Sequence, residues 1–235
     1  MILRLIACYI FLGAVFLAKS DVKKISQADS LFDQQKYTEA FDVYETIFLS
    51  GQASASMLLR MAFIKDGLGN YVDALYYLDL YYKKSADKSV VVKIEELSSE
   101  KNLSGYQYDD SDFFRAVLHK HQQEFQLVLL ALTILLTAYI FRKRKQNERP
   151  VTATVFQLIL LVSLIFVSNN LFEEKKGIIS QNSTLLRSGP SAGADPVELV
   201  GKGHKVDIID RTLVWTKIRW NGEDVYVRNG KIRII

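Results

Sequence analysis

Three histidines and one cysteine are the only imidazole and thiol groups in this 235-residue chain. His119 and His121 are two residues apart, so a helix would turn them to different faces, whereas a helical ligand pair needs a spacing of three or four. His204 is far from both in the sequence. Cys8 falls in an N-terminal apolar block that is expected to be removed on export. The mature chain is then expected to have no disulfide, no thiol nucleophile and no cysteine ligand. Gly201-Lys202-Gly203 is too short for a phosphate-cradling loop and sits among strand-like residues. With neither a Cys-His pair nor a ligand cluster, the chain is expected to bind rather than catalyse, with no cofactor and no metal.

The elements that must position any binding residue are set first by apolar blocks. Hydrophobic residues make up 49% of a chain that is also 24% charged. Both figures hold because the apolar residues are gathered at 1–20, 125–141 and 151–168. Residues 1–20 open Met1-Ile2-Leu3-Arg4, run apolar to Ala18 and end Ala18-Lys19-Ser20, the layout of a secretory signal peptide. Phe125 to Phe141 and Val151 to Ser168 contain no charge. Each run is about 26 Å long as a helix, just enough to cross a hydrocarbon core. The nine-residue segment 142–150 joins them and carries Arg142, Lys143, Arg144, Lys145 and Arg149. Such a concentration of cations beside apolar spans is a topology signal, which places the loop in the cytoplasm, rather than a nucleic-acid patch. A cleaved export signal independently puts residues 21–124 outside. Thr133, Thr137, Gln157 and Ser163 are expected to bond to their own helices or across the hairpin.

Residues 21–104 repeat themselves. Ala28, Tyr37 and Ala40 recur thirty-four residues later as Ala62, Tyr71 and Ala74. Small residues at that spacing suit antiparallel helices that cross closely, with a tyrosine filling each turn. On these positions the segment resembles the tetratricopeptide family, although Lys65 and the missing helix-ending prolines depart from its pattern. A further helix, with Val90, Val91, Ile94 and Leu97 on one side, is expected at 89–100 as a cap. The resemblance implies a peptide groove on the first helix of each repeat, lined by Ile25, Asp29, Phe32 and Asp33, then by Leu59, Phe63 and Asp66. Its aromatic and acidic character would suit an apolar, basic peptide. Tyr71, Tyr76, Tyr77, Tyr81 and Tyr82 are spread round one helix, so some are expected on the surface, at an interface, at the membrane or against the C-terminal module. Residues 105–124 are expected to form a juxtamembrane helix and linker, capped at Ser111 and Asp112.

After a polar linker at 169–177, residues 178–235 alternate in short runs. Val214 to Trp220 and Glu223 to Val227 flank Asn221-Gly222, a strong short-range hairpin signal because both turn residues accept positive φ. A small all-β barrel or sandwich follows. Leu186-Arg187-Ser188-Gly189-Pro190-Ser191, Leu199, Gly203, Trp215-Thr216-Lys217-Ile218 and the Asn-Gly hairpin resemble the bacterial Src-homology-3-like domain. The usual Gly-Trp-Val strand is replaced here by Val225-Tyr226-Val227. The resemblance implies binding of cell-wall peptides or proteins, with Arg187, Trp215 and Tyr226 as the ligand-binding candidates.

The expected fold class is therefore a multidomain α + β membrane protein, with tetratricopeptide-like hairpins, two transmembrane helices and a small Src-homology-3-like barrel. That domain order resembles the aerotolerance-operon membrane proteins of the BatE type. The resemblance implies a Gram-negative inner membrane, periplasmic N- and C-terminal modules and protein partners in an envelope complex. A non-catalytic adaptor is the leading expectation, and a peptidoglycan-sensing or wall-anchoring protein the alternative. Nucleic acid is not an expected partner.

Overall fold

The computed structural model describes residues 24–169 and 174–235. The expected signal segment with Cys8, and residues 170–173 of the expected linker, lie outside them. Residues 24–33 are helical (α1). Then come α2 (Tyr37–Leu49), α3 (Ala55–Gly67), α4 (Tyr71–Ser85) and α5 (Lys88–Glu100). Helices α2 and α4 begin at Tyr37 and Tyr71, so the thirty-four-residue repeat is a repeat of helix starts. Ala28, Ala40, Ala62 and Ala74 are all buried, as close helix crossings demand. Met57, Met61, Leu75, Tyr77 and Ile94 fill the space between them. Asn70 caps α4 through the Asp73 amide, and Ala86 ends that helix in the left-handed region.

Helix α6 (Asp110–Lys120) starts one residue before the expected cap. Asp109 is the N-cap, and Asp112 answers it from the third helical position in a reciprocal capping box. Helix α7 (Gln122–Lys145) and helix α8 (Val151–Ser168) pack against each other. At 24 and 18 residues they reach about 36 and 27 Å. Among their residues only Thr133 is buried. A core helix of a water-soluble protein hides its apolar side chains, whereas these leave Leu127, Leu135, Phe156 and Ile159 more than half exposed. Both helices are long and apolar enough to cross a membrane. Gln157 donates across the hairpin to Thr137 Oγ1 at 3.0 Å, while Thr133 and Thr137 hydroxyls bond back to their own helix. The basic cluster is helical where a loop was expected: Arg142 to Lys145 form the last turn of α7, where cations favour the helix dipole.

Seven antiparallel strands follow: β1 (Lys176–Ile179), β2 (Thr184–Arg187), β3 (Pro196–Val200), β4 (Lys205–Arg211), β5 (Trp215–Trp220), β6 (Glu223–Arg228) and β7 (Ile232–Ile234). Their order is β3-β2-β6-β5-β4-β1-β7. Bulges interrupt the register at Leu186/Arg187 and Ile208/Asp210. Every strand contributes to one core of Ile179, Leu186, Val200, Val206, Ile218, Val225, Val227 and Ile232, so the sheet curls over its own apolar face. The expected closed barrel does not form, and β3 and β7 remain edges. Pro196 has no N–H to offer a second neighbour of β3, and β7 is only three residues long. The Asn221-Gly222 turn has φ values of 50° and 85°, and Trp220 pairs with Glu223 across it, as that dipeptide requires.

Candidate functional site

The expected groove residues sit on α1 and α3, and the structure brings part of them together. Phe32 and Phe63 meet edge to face at 5.7 Å, and Tyr37 closes a triangle at 5.3 and 5.8 Å. Phe63 remains 57% exposed, and Leu59 lies one turn before it, 41% exposed. Ile25, Phe32 and Tyr37 are partly buried and pack on the helical core, so Phe63 and Leu59 are the apolar groups left open. The expected acidity is largely taken up within the module. Asp29 accepts from the buried Tyr44 hydroxyl at 2.6 Å and pairs with Arg60, whose guanidinium also covers the Phe32 ring at 5.1 Å. Burial, reinforced by the Asp29 carboxylate, pushes the Tyr44 phenol up to about 12. Asp66 lies 3.6 Å from Lys93, and Asp33 is exposed. The surface is therefore aromatic with a balanced rim rather than acidic.

In the sheet, strand pairing collects the three candidates on the outward face. Tyr226 lies opposite Lys217 on one side and Arg187 on the other, and Trp215 is two residues from Lys217 along β5. Thr216, Ile218, Val225 and Val227, which alternate with them, are buried. Trp215 is half-buried and belongs to no core cluster. Arg187 Nη1 donates to the Ala194 carbonyl at 2.7 Å, so it also ties the turn that follows β2.

A third constellation joins the sheet to the helices. Lys205 and Asp79, 5% and 3% exposed at their side chains, pair at 2.7 Å, and the Tyr108 hydroxyl donates to the same Asp79 oxygen. Burial, then the Asp79 charge, drives the Tyr108 phenol far above its usual range. The Lys205 N–H donates to the Ser104 carbonyl at 3.0 Å. The Ser104 N–H donates to His204 Nδ1 at 3.1 Å, and the Tyr106 hydroxyl donates to the Gly203 carbonyl at 2.7 Å. Gly105 makes this approach possible: at φ +90°, an added Cβ would stand 2.0 Å from the Lys205 carbonyl oxygen. Arg233 stacks on Tyr76 at 3.6 Å and donates to Asp73 at 2.8 Å and to the Tyr77 hydroxyl at 3.2 Å. Near the apolar helices, Lys176 and Arg115 donate to Asp112 at 2.8 and 2.9 Å. Burial opposes the Asp112 charge, but these two bonds outweigh it and hold the carboxyl at about 2.

This junction also corrects the expectation of surface tyrosines. Tyr76, Tyr77 and Tyr82 are buried and Tyr71 and Tyr81 half-buried: Phe48 of α2 packs on Tyr76 and Tyr77, Tyr108 meets Tyr82, and Arg233 of β7 covers Tyr76. Of the two readings left open for those rings, contact with the C-terminal module is the one seen. His204 meets Trp220 edge to face at 5.3 Å within the junction, while His121 closes α6 beside Glu124. A scan against protein-family models finds no match to the chain, and a search of curated proteins finds none either.

Proposed function

We propose that the chain is a non-catalytic, membrane-anchored adaptor whose two modules face the same compartment and are held as one body. The Phe63 ring carries this reading: it is left exposed on top of the half-buried Phe32 and Tyr37 at an interhelical crease, where it suits a partner's side chains. The helical module is read as tetratricopeptide-like and the curled sheet as Src-homology-3-like. Both are placed on the periplasmic side of a Gram-negative inner membrane, with Arg142 to Lys145 and Arg149 cytoplasmic and residues 1–20 acting as an export signal. The docking of 24–121 onto 174–235 supports a common side, since an even number of spans lies between them. An envelope complex of the aerotolerance type is the proposed setting.

A photoreactive residue in place of Phe63, introduced in cells, tests the adaptor. A reproducible set of membrane or periplasmic proteins crosslinked there, and lost with Tyr37→Asp, is the expected result. Capture indistinguishable from that of a probe at exposed Leu213 would sink the reading.

The outward row of Arg187, Lys217, Trp215 and Tyr226 favours a second reading, in which the sheet binds peptidoglycan. Aromatic and cationic groups in one row suit sugar rings and wall-peptide carboxylates. Co-sedimentation of the full chain with purified sacculi, weakened by Tyr226→Ala, would support it over the adaptor.

A further inference from the structure

Strand pairing fixes which end of the sheet faces the apolar helices. Strand β1 begins where the chain returns from α8, with Glu174 on Arg115 at 3.1 Å and Lys176 on Asp112 at 2.8 Å. Arg115 and Asp112 belong to α6, which leads into α7. Two bonds bridge that joint: the His121 N–H donates to the Val117 carbonyl at 3.1 Å, and the Phe125 N–H to the His121 carbonyl at 3.0 Å. Stepping back from Lys176 to Glu174 therefore follows α6 from Asp112 to Arg115, towards α7. Strand β4 is antiparallel to β1. Asp207 lies opposite Lys176, and the Ile208 N–H donates to the Lys175 carbonyl at 2.7 Å. The rest of β4 runs on towards the apolar helices, and the turn at 212–214 is the loop on that side. Leu213 lies five residues past Ile208, a reach of at most about 17 Å, which the bulge in β4 shortens. Arg115 lies ten residues before Phe125, where the charge-free run begins, or about 15 Å along a helix. The turn and the start of the apolar run thus share a level.

The chemistry of the turn matches that level. Leu213 is 99% exposed, Val214 50% and Ile209 43%, an apolar tip that no other part of the chain covers. The tip is rigid and supplies many of its own hydrogen bonds. The Thr212 N–H donates to the Trp215 carbonyl at 2.8 Å, and the Trp215 N–H to Thr212 Oγ1 at 3.1 Å. From the end of β6, Asn229 donates its side-chain amide to the Thr212 carbonyl at 2.9 Å and its N–H to the Val214 carbonyl at 3.0 Å. A backbone satisfied from within can leave water at little cost. Arg211 and Arg228 flank the tip and are exposed, and the Asp210 carboxylate accepts from the Arg211 N–H at 2.8 Å. Apolar side chains below exposed guanidinium groups suit a lipid surface, with the cations at the phosphates.

We propose that the β4–β5 turn is a second membrane contact, in which Leu213 and Val214 enter the lipid surface beside the α7–α8 hairpin while Arg211 and Arg228 lie among the head groups. The sheet is then held to the bilayer at two places, and it cannot swing about the segment that leads from α8. The inference rests on α7 and α8 being membrane spans.

The test uses the full Cys8→Ser chain with Leu213→Cys, labelled with the environment-sensitive fluorophore NBD and reconstituted alone in liposomes. A matched chain carries the label at Ser191→Cys. The turn after β2 is separated from the β4–β5 turn by three antiparallel pairings, β4 with β5, β5 with β6 and β6 with β2, so it lies at the other end of the sheet. Both positions are exposed, so the labels leave the fold intact. The expected result is blue-shifted emission at position 213, quenched more by a nitroxide high on the acyl chain than by one near the chain end, with neither effect at position 191. Val214→Asp should return the emission at 213 to that of a label in water. Equal behaviour at the two positions, or quenching that Val214→Asp leaves unchanged, overturns the proposal. A label shielded in native membranes yet unquenched in liposomes reports a protein partner and overturns it too. Resistance of the native chain to alkaline extraction from membranes is read in parallel. A chain that is extracted refutes the membrane reading itself, whereas a resistant chain with position 213 in water refutes only the second contact.

Discussion

Lys205 and Asp79 show how much depends on single side chains that look ordinary in the sequence. Each is almost wholly removed from solvent, and each neutralises the other. Removing one partner leaves a charge buried and uncompensated, which costs about 3–5 kcal/mol, whereas replacing both with apolar residues of similar volume is far milder. Lys205→Met is therefore expected to destabilise the full chain in denaturant unfolding, and adding Asp79→Leu to recover most of the loss. His204 supplies a pH-dependent element at the same junction. Burial lowers its pKa, with Glu198 of β3 pulling weakly the other way, and its Nδ1 is occupied as an acceptor from Ser104. The folded-state pKa thus lies below the unfolded value of about 6.5, so the neutral ring stabilises docking above that pH. That contribution is lost as pH falls through the folded-state value. Trp220 fluorescence, read against pH, should report the charging of the adjacent imidazole, and His204→Gln should flatten the response.

At the scale of elements, what the sequence discloses is what is local or periodic. The alanines at thirty-four-residue spacing, the two uncharged runs and the Asn221-Gly222 turn each encode a backbone requirement within a few residues, and each is found where it was expected. The Asn-Gly turn permits a direct check. A β-branched side chain at Gly222 would be forced to positive φ, so Gly222→Val is expected to cost about 1–3 kcal/mol in denaturant unfolding. The junction was not legible for the opposite reason. Its pairs join residues 64 to 160 positions apart, and no short pattern marks them. Lys205 opens an alternating run in phase with Asp207, as a solvent-facing lysine would. Only the density of tyrosines in α4 signalled an interface, without saying to what. The candidate surfaces were legible in part: Phe32 and Phe63 do meet, and Arg187, Trp215 and Tyr226 do share a face. That Asp29 accepts from Tyr44 could not be read locally, because Tyr44 lies on another helix.

At the scale of the whole molecule, Gly105 sets whether the two modules remain one body. Gly105→Ala places a methyl against the Lys205 carbonyl and is expected to speed proteolysis at 101–109 and at 174–175, with α1–α5 still folded. Unchanged cleavage would mean that the modules are held by other contacts. The membrane arrangement has its own test. In a Cys8→Ser chain, a cysteine at exposed Ser191 is expected to react with an impermeant maleimide from the periplasmic side. A cysteine at Gln146, beside the basic turn of α7, should be protected until the membrane is dissolved.

The pairing of Asp79 with Lys205 also imposes a timetable. The two residues are 126 positions apart, with both apolar helices between them. During synthesis, α4 therefore emerges before the lysine that neutralises its buried carboxylate. On the proposed topology, Asp79 stays unpaired until both apolar helices have inserted and β4 has reached the same side, so joining of the two modules is the last event of assembly rather than an early one.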